Sequence, residues 1–391
     1  MTRKEERLAA ARAVGRVIRS GAWSNVVSRT EAASLGAEPT IVQALVLAVL
    51  RHRPLLDREV ERHAGRSLDR IDPVVCDLLR VGAAEAMEGR MPAPLIVDGI
   101  VHAARAAAPR AVGFVNAVMR RLAEDPPVMT GPGDGGVPEF VDQALRHVLE
   151  GEAVDAFWEA SRSPAPVGLR SGEGVEGADA VEGIPSAWLW REGAPPPGVA
   201  IQDPASVAVG NALDARPGWQ LLDMGAAPGG KTAHLIEQVG PEGRVVALDR
   251  HRRRVETASR RVPGALWVVG DGTRAPFVES HFDAVLVDAP CTGLGTLRRR
   301  PELSERVTPD EMARLAAIQR AMLDEALRIV RPGGRVVYSV CTITPAETID
   351  VVAGLGARAP EGLPGVPYGD GWLMAPHLGP TDGMFVAVFE R

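Results

Sequence analysis

From Trp219 onward the chain alternates short β-rich runs with helical stretches, and this alternation narrows the fold more than any other feature. WQLLDM, RVVALD, ALWVVG, DAVLVD and GRVVYSV are short and apolar, and helical segments such as MARLAAIQRAMLDEALRIV separate several of them. The pattern predicts a parallel sheet with helices on both faces. Ligands of such sheets bind beyond the carboxyl ends of the strands, so the residues following each run are the candidates for function.

The first run leads directly into LLDMGAAPGGKTAHL, where Gly225, Gly230, Lys231 and Thr232 fill the fixed positions of the P-loop pattern. The neighbouring residues speak against a triphosphate. The strand ends supply Asp223, Asp249, Asp271 and Asp288, and a phosphate cradle needs N–H groups and cations rather than carboxylates. Pro228 also removes one N–H donor from the turn. Only Asp288 would find a role there, as a Walker-B-like metal ligand in DAVLVD. S-adenosylmethionine fits the acidic ring better, because it carries a sulfonium and an α-amine, and its ribose hydroxyls and adenine amino group can bond to carboxylates. Asp249, ending the second strand, stands where a doubly wound nucleoside site grips the ribose. The glycine turn lets the backbone approach such a ligand closely. Any one of these Asp residues is equally well explained as a turn former or helix cap; all four in register with a glycine turn point to a site. An NAD site lacks its G-x-G-x-x-G after the first strand. The match at Gly131, Gly133 and Gly136 follows no strand.

Upstream, residues 1–125 read as all helix; GFVNAVMRRL, for example, places Phe114, Val115, Val118, Met119 and Leu122 on one face. DPPVMTGPGDGG, Asp125 to Gly136, reads as a linker. Residues 137–200 are mixed, with a helix expected at PEFVDQALRHVLE, and read as a small α/β subdomain; residues 201–391 form the sheet domain. The net charge of -6 hides an asymmetry: residues 1–125 hold 19 Lys+Arg against 15 Asp+Glu (+4), and residues 126–391 hold 25 against 35 (-10). The helical part is therefore a candidate to meet a polyanion, although ordinary scatter of surface charge explains the figure equally well. Lysine occurs only at positions 4 and 231, so a lysine within the glycine turn hints at a site that wants a compact ammonium. The N-terminus lacks an apolar signal segment, and IVQALVLAVL is about half the ~20 residues a membrane helix needs. Cys76, Cys291 and Cys341 show no metal-ligand spacing, so no metal is expected and a reducing cytoplasm is the simplest home.

Cys76 sits in a helix among Val and Leu and reads as a small core residue. Cys291, in DAPCTGLGTLRRRPE, and Cys341, in YSVCTITPAE, lie instead at the ligand edge of the sheet. A thiolate can add to an electron-poor heteroaromatic carbon. Carbon 5 of cytosine becomes nucleophilic only after such an addition at carbon 6, with an acid stabilising the N3 side and a base later removing the carbon-5 proton. One nucleophilic Cys, one carboxylate and one further polar group suffice, and DAPC and SVCT offer them.

Taken together, GFVNAVMRR, IQDPAS, MGAAPGGKT, DAPCTGLGTLRRRPE, VRPGGRVVYSVCT and TDGMFVAVFER resemble the NOL1/NOP2/Sun family of RNA cytosine-5 methyltransferases, nearest its bacterial 16S rRNA subgroup of Sun or Fmu type. The resemblance covers nearly the whole chain. It implies a Rossmann-like class I methyltransferase domain of α/β class preceded by an all-α NusB-like RNA-binding domain, with the 137–200 subdomain also on the RNA. It implies Cys341 as nucleophile, Cys291 as the group assisting release, Asp288 in contact with the cytosine and Lys231 near the reacting base. Gly225, Ala226, Ala227, Pro228, Gly229, Gly230, Lys231, Asp249, Arg250, Arg254, Asp271, Gly272 and Asp288 would contact S-adenosylmethionine, with Asp249 and Asp271 holding the adenosine. The implied product is 5-methylcytosine in RNA, foremost 16S rRNA, made by a cytoplasmic monomer. A catalytically silent ribosome assembly factor, or an enzyme acting on another RNA such as tRNA, are the alternatives. Three positions depart from the family pattern: Gly225 replaces a common Cys, Val340 a Thr, and Thr348 an Asn.

Overall fold

The computed structural model describes residues 4–129 and 136–391, so Gly131 and Gly133 of the discarded glycine match lie outside the described residues, as does the middle of the expected linker. By contacts the chain divides into two units: residues 1–138 with 297–306, and residues 139–296 with 307–391. Among the described residues no helix is long and apolar enough to cross a membrane.

The first unit is helical: α1 (Lys4–Ser20), α2 (Ser24–Leu35), α3 (Pro39–Arg51), α4 (Arg53–Ala64), α5 (Pro73–Glu88), α6 (Ala93–Ala107) and α7 (Val112–Glu124). Proline opens α3 and α5, and the Glu38 and Asp72 carboxylates cap them by accepting from Thr40 N and Val74 N. On α7, Val115, Val118, Met119 and Leu122 are buried, as their spacing requires, and the Arg66 guanidinium covers the Phe114 ring at 4.7 Å. Arg7 enters the core to pair with Glu85, through Nε at 2.5 Å and Nη2 at 3.0 Å. Gly99 makes room for it, since a Cβ there would lie 1.9 Å from Arg7 Nη1. Cys76 is buried on α5, and burial pushes its thiol up to about 11, as befits a core residue.

Residues 297–306 complete this unit, although in sequence they follow the Cys291 motif. Glu302 is buried and caps α2 from a distance, accepting from Ser24 N (3.1 Å) and Ser24 Oγ (2.9 Å). Arg53 pairs with Glu305 at 2.8 Å, and Arg306 donates to Ala22 O at 2.7 Å while its guanidinium lies over the Trp23 ring.

The second unit begins with α8 (Glu139–Arg146), α9 (Gly151–Arg162) and a small antiparallel sheet of β1 (Val167–Arg170), β2 (Ala178–Ala180), β3 (Ala187–Trp190) and β4 (Ala200–Ile201), in the order β2-β3-β1-β4. After α10 (Pro204–Ala212) comes the main sheet with its helices: β5 (Gln220–Met224), α11 (Gly230–Val239), β6 (Arg244–Asp249), α12 (Arg252–Arg261), β7 (Leu266–Val269), β8 (Phe282–Asp288), α13 (Pro309–Ile329), β9 (Val330–Val340), α14 (Ile349–Val352), β10 (Val366–Tyr368), β11 (Gly371–Met374) and β12 (Met384–Glu390). The strand order is β10-β11-β12-β9-β8-β5-β6-β7. The five runs read from the sequence are the five parallel strands, β7-β6-β5-β8-β9. The sheet is mixed, however: β12, β11 and β10 extend it antiparallel beyond β9. Antiparallel neighbours need no helical crossover, so the strand–helix rhythm does not announce them.

Candidate active site

Because β5 to β9 run parallel, their carboxyl ends share one edge. The turn after β5 is fastened to β6, with Gly225 N and Ala226 N both donating to Leu248 O, at 2.8 and 3.1 Å. Gly225 has φ +83°, and a Cβ there would lie 2.2 Å from Asp288 O. A side chain at this position therefore requires the turn or β8 to shift, which gives the family departure at Gly225 a local reason. Ala226 and Ala227 are buried, Pro228 is exposed, Gly229 N donates back to Ala226 O at 2.8 Å, and Gly230 opens α11.

Asp249 orders this turn from the next strand. Its Oδ2 accepts from Ala227 N at 3.3 Å, its Oδ1 accepts from His251 N at 2.9 Å, and Arg254 Nη1 stands 3.5 Å from Oδ2. Arg254 also donates to Ala227 O, tying α12 to the turn. Asp271 caps a 3₁₀ turn, Gly272–Arg274, accepting from Thr273 N (3.0 Å) and Thr273 Oγ1 (2.9 Å). Those bonds, then the nearby Arg250 and Arg274, hold its carboxyl below the usual range. Gly272 lies against Met322 and Met224, where a Cβ would come within 3.0 and 3.3 Å of their methyl groups.

Asp223 departs from the expected ring of four carboxylates. It is fully buried and turned inward, with Thr232 Oγ1 donating to its Oδ2 at 2.6 Å. Burial, then the negative charges of Asp288 and Asp249, raise its carboxyl to about 7 despite the Thr232 bond and Lys231. Three carboxylates are thus left for a ligand, each with a cation near it: Lys231 by Asp288, Arg254 by Asp249, and Arg250 and Arg274 by Asp271. As acceptors they suit a ligand that brings hydroxyl and amine donors better than phosphate oxygens. The P-loop match fails on geometry as well. Lys231 Nζ is committed to Asp288 Oδ2 at 2.9 Å, and Ala227 N, one of the donors a phosphate would need, is given to Asp249.

On the other side of β5 lie the residues expected to react. Asp288 bonds Lys231 through Oδ2 and accepts from Ser339 Oγ at Oδ1, at 3.2 Å. Burial would lower the Lys231 ammonium, but Asp288, then the charges of Cys341 and Asp223, outweigh it and hold the ammonium above its ordinary value. Cys291 and Cys341, from the loops after β8 and β9, bring their sulfurs to 3.3 Å. The Cys291 thiol is raised well above its ordinary range, first by its bond to Cys341, then by burial and by the charges of Cys341 and Glu347. The Cys291 sulfur is therefore held toward its thiol form, in hydrogen-bond contact with Cys341.

Residues 211–390 match the family described as 16S rRNA methyltransferase RsmB/F, and residues 4–124 match the NusB family. A ribosomal RNA small subunit methyltransferase B from Thermus thermophilus is 37% identical over 82% of this chain and 79% of its own length. This chain belongs to that family. A namesake from Xylella fastidiosa is 34% identical over 84% of this chain and 83% of its own length. In fold, the RsmB/F-type chain is similar to the crystal structure of a protein called PH0851, with a TM-score of 0.78 over 99% of both chains at 21% identity. The chain is an S-adenosylmethionine-dependent RNA methyltransferase with an N-terminal NusB-type helical domain.

Several residues of this methyltransferase site escaped the sequence analysis. Ser339 was seen only as part of a strand, and Gln319 only as a helical residue. Glu347 was not singled out, yet its buried carboxylate joins the two cysteine loops. No local signal marks these residues, because their partners lie far away in the chain. At Val340, the second family departure, the side chain is buried opposite Phe385 of β12 and contributes packing alone.

Proposed function

We propose that this methyltransferase modifies carbon 5 of a cytosine in small-subunit rRNA through a covalent bond between Cys341 and carbon 6. The observation that carries this reading is the pair of sulfurs 3.3 Å apart beside the Lys231–Asp288 ion pair. Gly225 to Gly230, Asp249, Arg250, Arg254, Asp271 and Gly272 would hold S-adenosylmethionine. When bound, it supplies an electrophilic methyl group on a sulfonium.

The Cys341 thiolate forms the S–C6 bond, and the displaced π electrons move toward N3. The Lys231 ammonium, oriented by Asp288, offers hydrogen bonds to the charge that develops on the base. Carbon 5, now enamine-like, is the nucleophile for methylation. Once its sulfur is bonded to carbon, Cys341 no longer carries the charge that raised Cys291. The Cys291 proton then leaves to solvent more easily. The resulting thiolate takes the carbon-5 proton, the C5=C6 bond reforms, and Cys341 leaves as thiolate. One proton is released per methyl group, and both sulfurs return to their starting states.

Two features support RNA as the partner. The relatives from Thermus thermophilus and Xylella fastidiosa are named for small-subunit rRNA. In addition, Arg252, Arg253, Arg260 and Arg261 are exposed on α12 and form no ion pair among the described residues. Arg253 and Arg260, two turns apart, lie on the face opposite buried Val255 and Ala258, where phosphates can reach them. The test is to incubate the enzyme with labelled S-adenosylmethionine and unmodified rRNA, then map the product. Label at carbon 5 of one small-subunit cytosine is expected. Label only in tRNA, or no transfer with RNA binding retained, would replace this reading with another substrate or with a silent assembly factor.

A further inference from the structure

Glu347 is 0% exposed, and among the described residues no Lys, Arg or His pairs with it. Its charge is held by hydrogen bonds alone. Oε1 accepts from Thr292 N at 2.8 Å and from Gln319 Nε2 at 3.1 Å. Oε2 accepts from Thr292 Oγ1 at 2.5 Å and from Thr344 Oγ1 at 2.8 Å. The Thr342 hydroxyl, 3.3 Å from Oε2 and 2.8 Å from that of Thr292, completes the ring. Thr292 directly follows Cys291, and Thr342 directly follows Cys341. The same carboxylate therefore grips the residue next to each sulfur. Gln319 adds a brace, since its amide also donates to Pro290 O at 2.8 Å. The loops touch again where Gly295 N donates to Cys341 O at 3.0 Å. A buried carboxylate with no cation beside it costs several kcal/mol unless its hydrogen bonds are complete, and here donors from both cysteine loops fill its oxygens.

We propose that Glu347 is the positioning residue that locks the Cys291 and Cys341 loops in register and sets which sulfur leads and which follows. The proposal rests on the two-cysteine reading above. The geometry supplies the register through Thr292 and Thr342. The negative charge supplies the order: it sits nearer the Cys291 loop, bonded to Thr292 at 2.8 and 2.5 Å against 3.3 Å to Thr342, and with the Cys341 bond and burial it favours the thiol form of Cys291.

Two substitutions separate register from order. Glu347→Gln keeps the shape. Its carbonyl can take the place of Oε1, and its NH₂ then faces three hydroxyls that can turn to accept. Glu347→Asp keeps the charge but is one methylene too short to reach both loops. For Glu347→Asp, release is expected to slow by about a hundredfold, the scale of a 1 Å misplacement, while attack by Cys341 continues. Protein–RNA adduct then accumulates on a denaturing gel. For Glu347→Gln, the pH limb governing adduct resolution is expected to move to lower pH, because Cys291 loses its proton more readily without the neighbouring charge. A purely structural role predicts lower thermal stability with attack and release reduced together, no adduct, and an unmoved pH limb; that result overturns the proposal. Cys291→Ala, run in parallel, tells the two ideas apart. If it traps adduct and neither Glu347 variant changes partitioning or pH limb, the Glu347 proposal alone fails. If it traps none, the two-cysteine reading fails and the proposal falls with it.

Discussion

Around β5, β8 and β9 the polar groups of the ligand edge find partners far away in the chain, whereas around β6 and β7 most find them next door. Lys231 meets Asp288 across 57 positions, Cys291 meets Cys341 across 50, and Thr292 meets Glu347 across 55. Asp249 and Asp271 each bond a backbone N–H two residues on. The first half, the proposed reaction site, holds charges and thiols that already constrain one another. The second is a set of short turns, fastened by the Asp249–Ala227 bond, against which a cofactor can settle. On the proposed reading, chemistry falls to the part of the edge fixed by the whole fold and binding to the part fixed by local turns.

The largest expected effect lies in the reaction half. Lys231→Met should lower turnover by about 10²–10³-fold, the cost of removing one donor to a developing charge, with S-adenosylmethionine affinity changed much less. Single-turnover kinetics with calorimetry on the same variant would check it. Turnover within a few-fold of wild type would erase the distinction between the halves. Next comes the cofactor half. Asp249→Ala should weaken S-adenosylmethionine by about 1.5–3 kcal/mol in calorimetry, because the ligand loses a charged acceptor and the turn loses its tie to Ala227. Turnover at saturating methyl donor should survive far better than in Lys231→Met. The reverse ranking would mean that Asp249 belongs to the reaction machinery. The smallest effect is expected on α12. Arg253→Gln with Arg260→Gln should leave cofactor affinity unchanged and lower the slope of log binding constant against log salt for RNA by about 0.7 per lost phosphate contact on a single strand. An unchanged slope would remove α12 from the RNA-binding surface.

The same division explains what the sequence discloses. Strand ends, the glycine turn and the caps at Asp249 and Asp271 are local patterns, and the five parallel strands were legible from them. The two cysteines were legible as a pair because each follows a strand of the same parallel sheet. Glu347 was not, since its role consists of bonds to Thr292 and Gln319, 55 and 28 positions away. Asp223 looked like a ligand-facing carboxylate by its place at the end of β5, but Thr232, nine positions later on α11, holds it inward. Residues 297–306 looked like an extension of the Cys291 motif. Their assignment to the helical unit depends on Ser24, Arg53 and Ala22, which no short-range pattern connects to them. This docking also changes how the helical unit should be probed. Deleting residues 1–125 would uncover buried Leu297 and Leu303, so point substitutions test RNA binding more cleanly than truncation.

The central claim is that the two sulfurs, 3.3 Å apart, are unequal: Cys341 opens the reaction and Cys291 closes it. The direct measurement is a denaturing gel of Cys341→Ala, Cys291→Ala and the double variant, each incubated with substrate RNA and S-adenosylmethionine. Losing the nucleophile blocks entry, while losing the release group blocks exit. A covalent protein–RNA band is predicted for Cys291→Ala alone, carrying a methylated base, and absent from Cys341→Ala and the double variant. A band from Cys341→Ala instead, or methylation that survives both substitutions with no band from either, would contradict it.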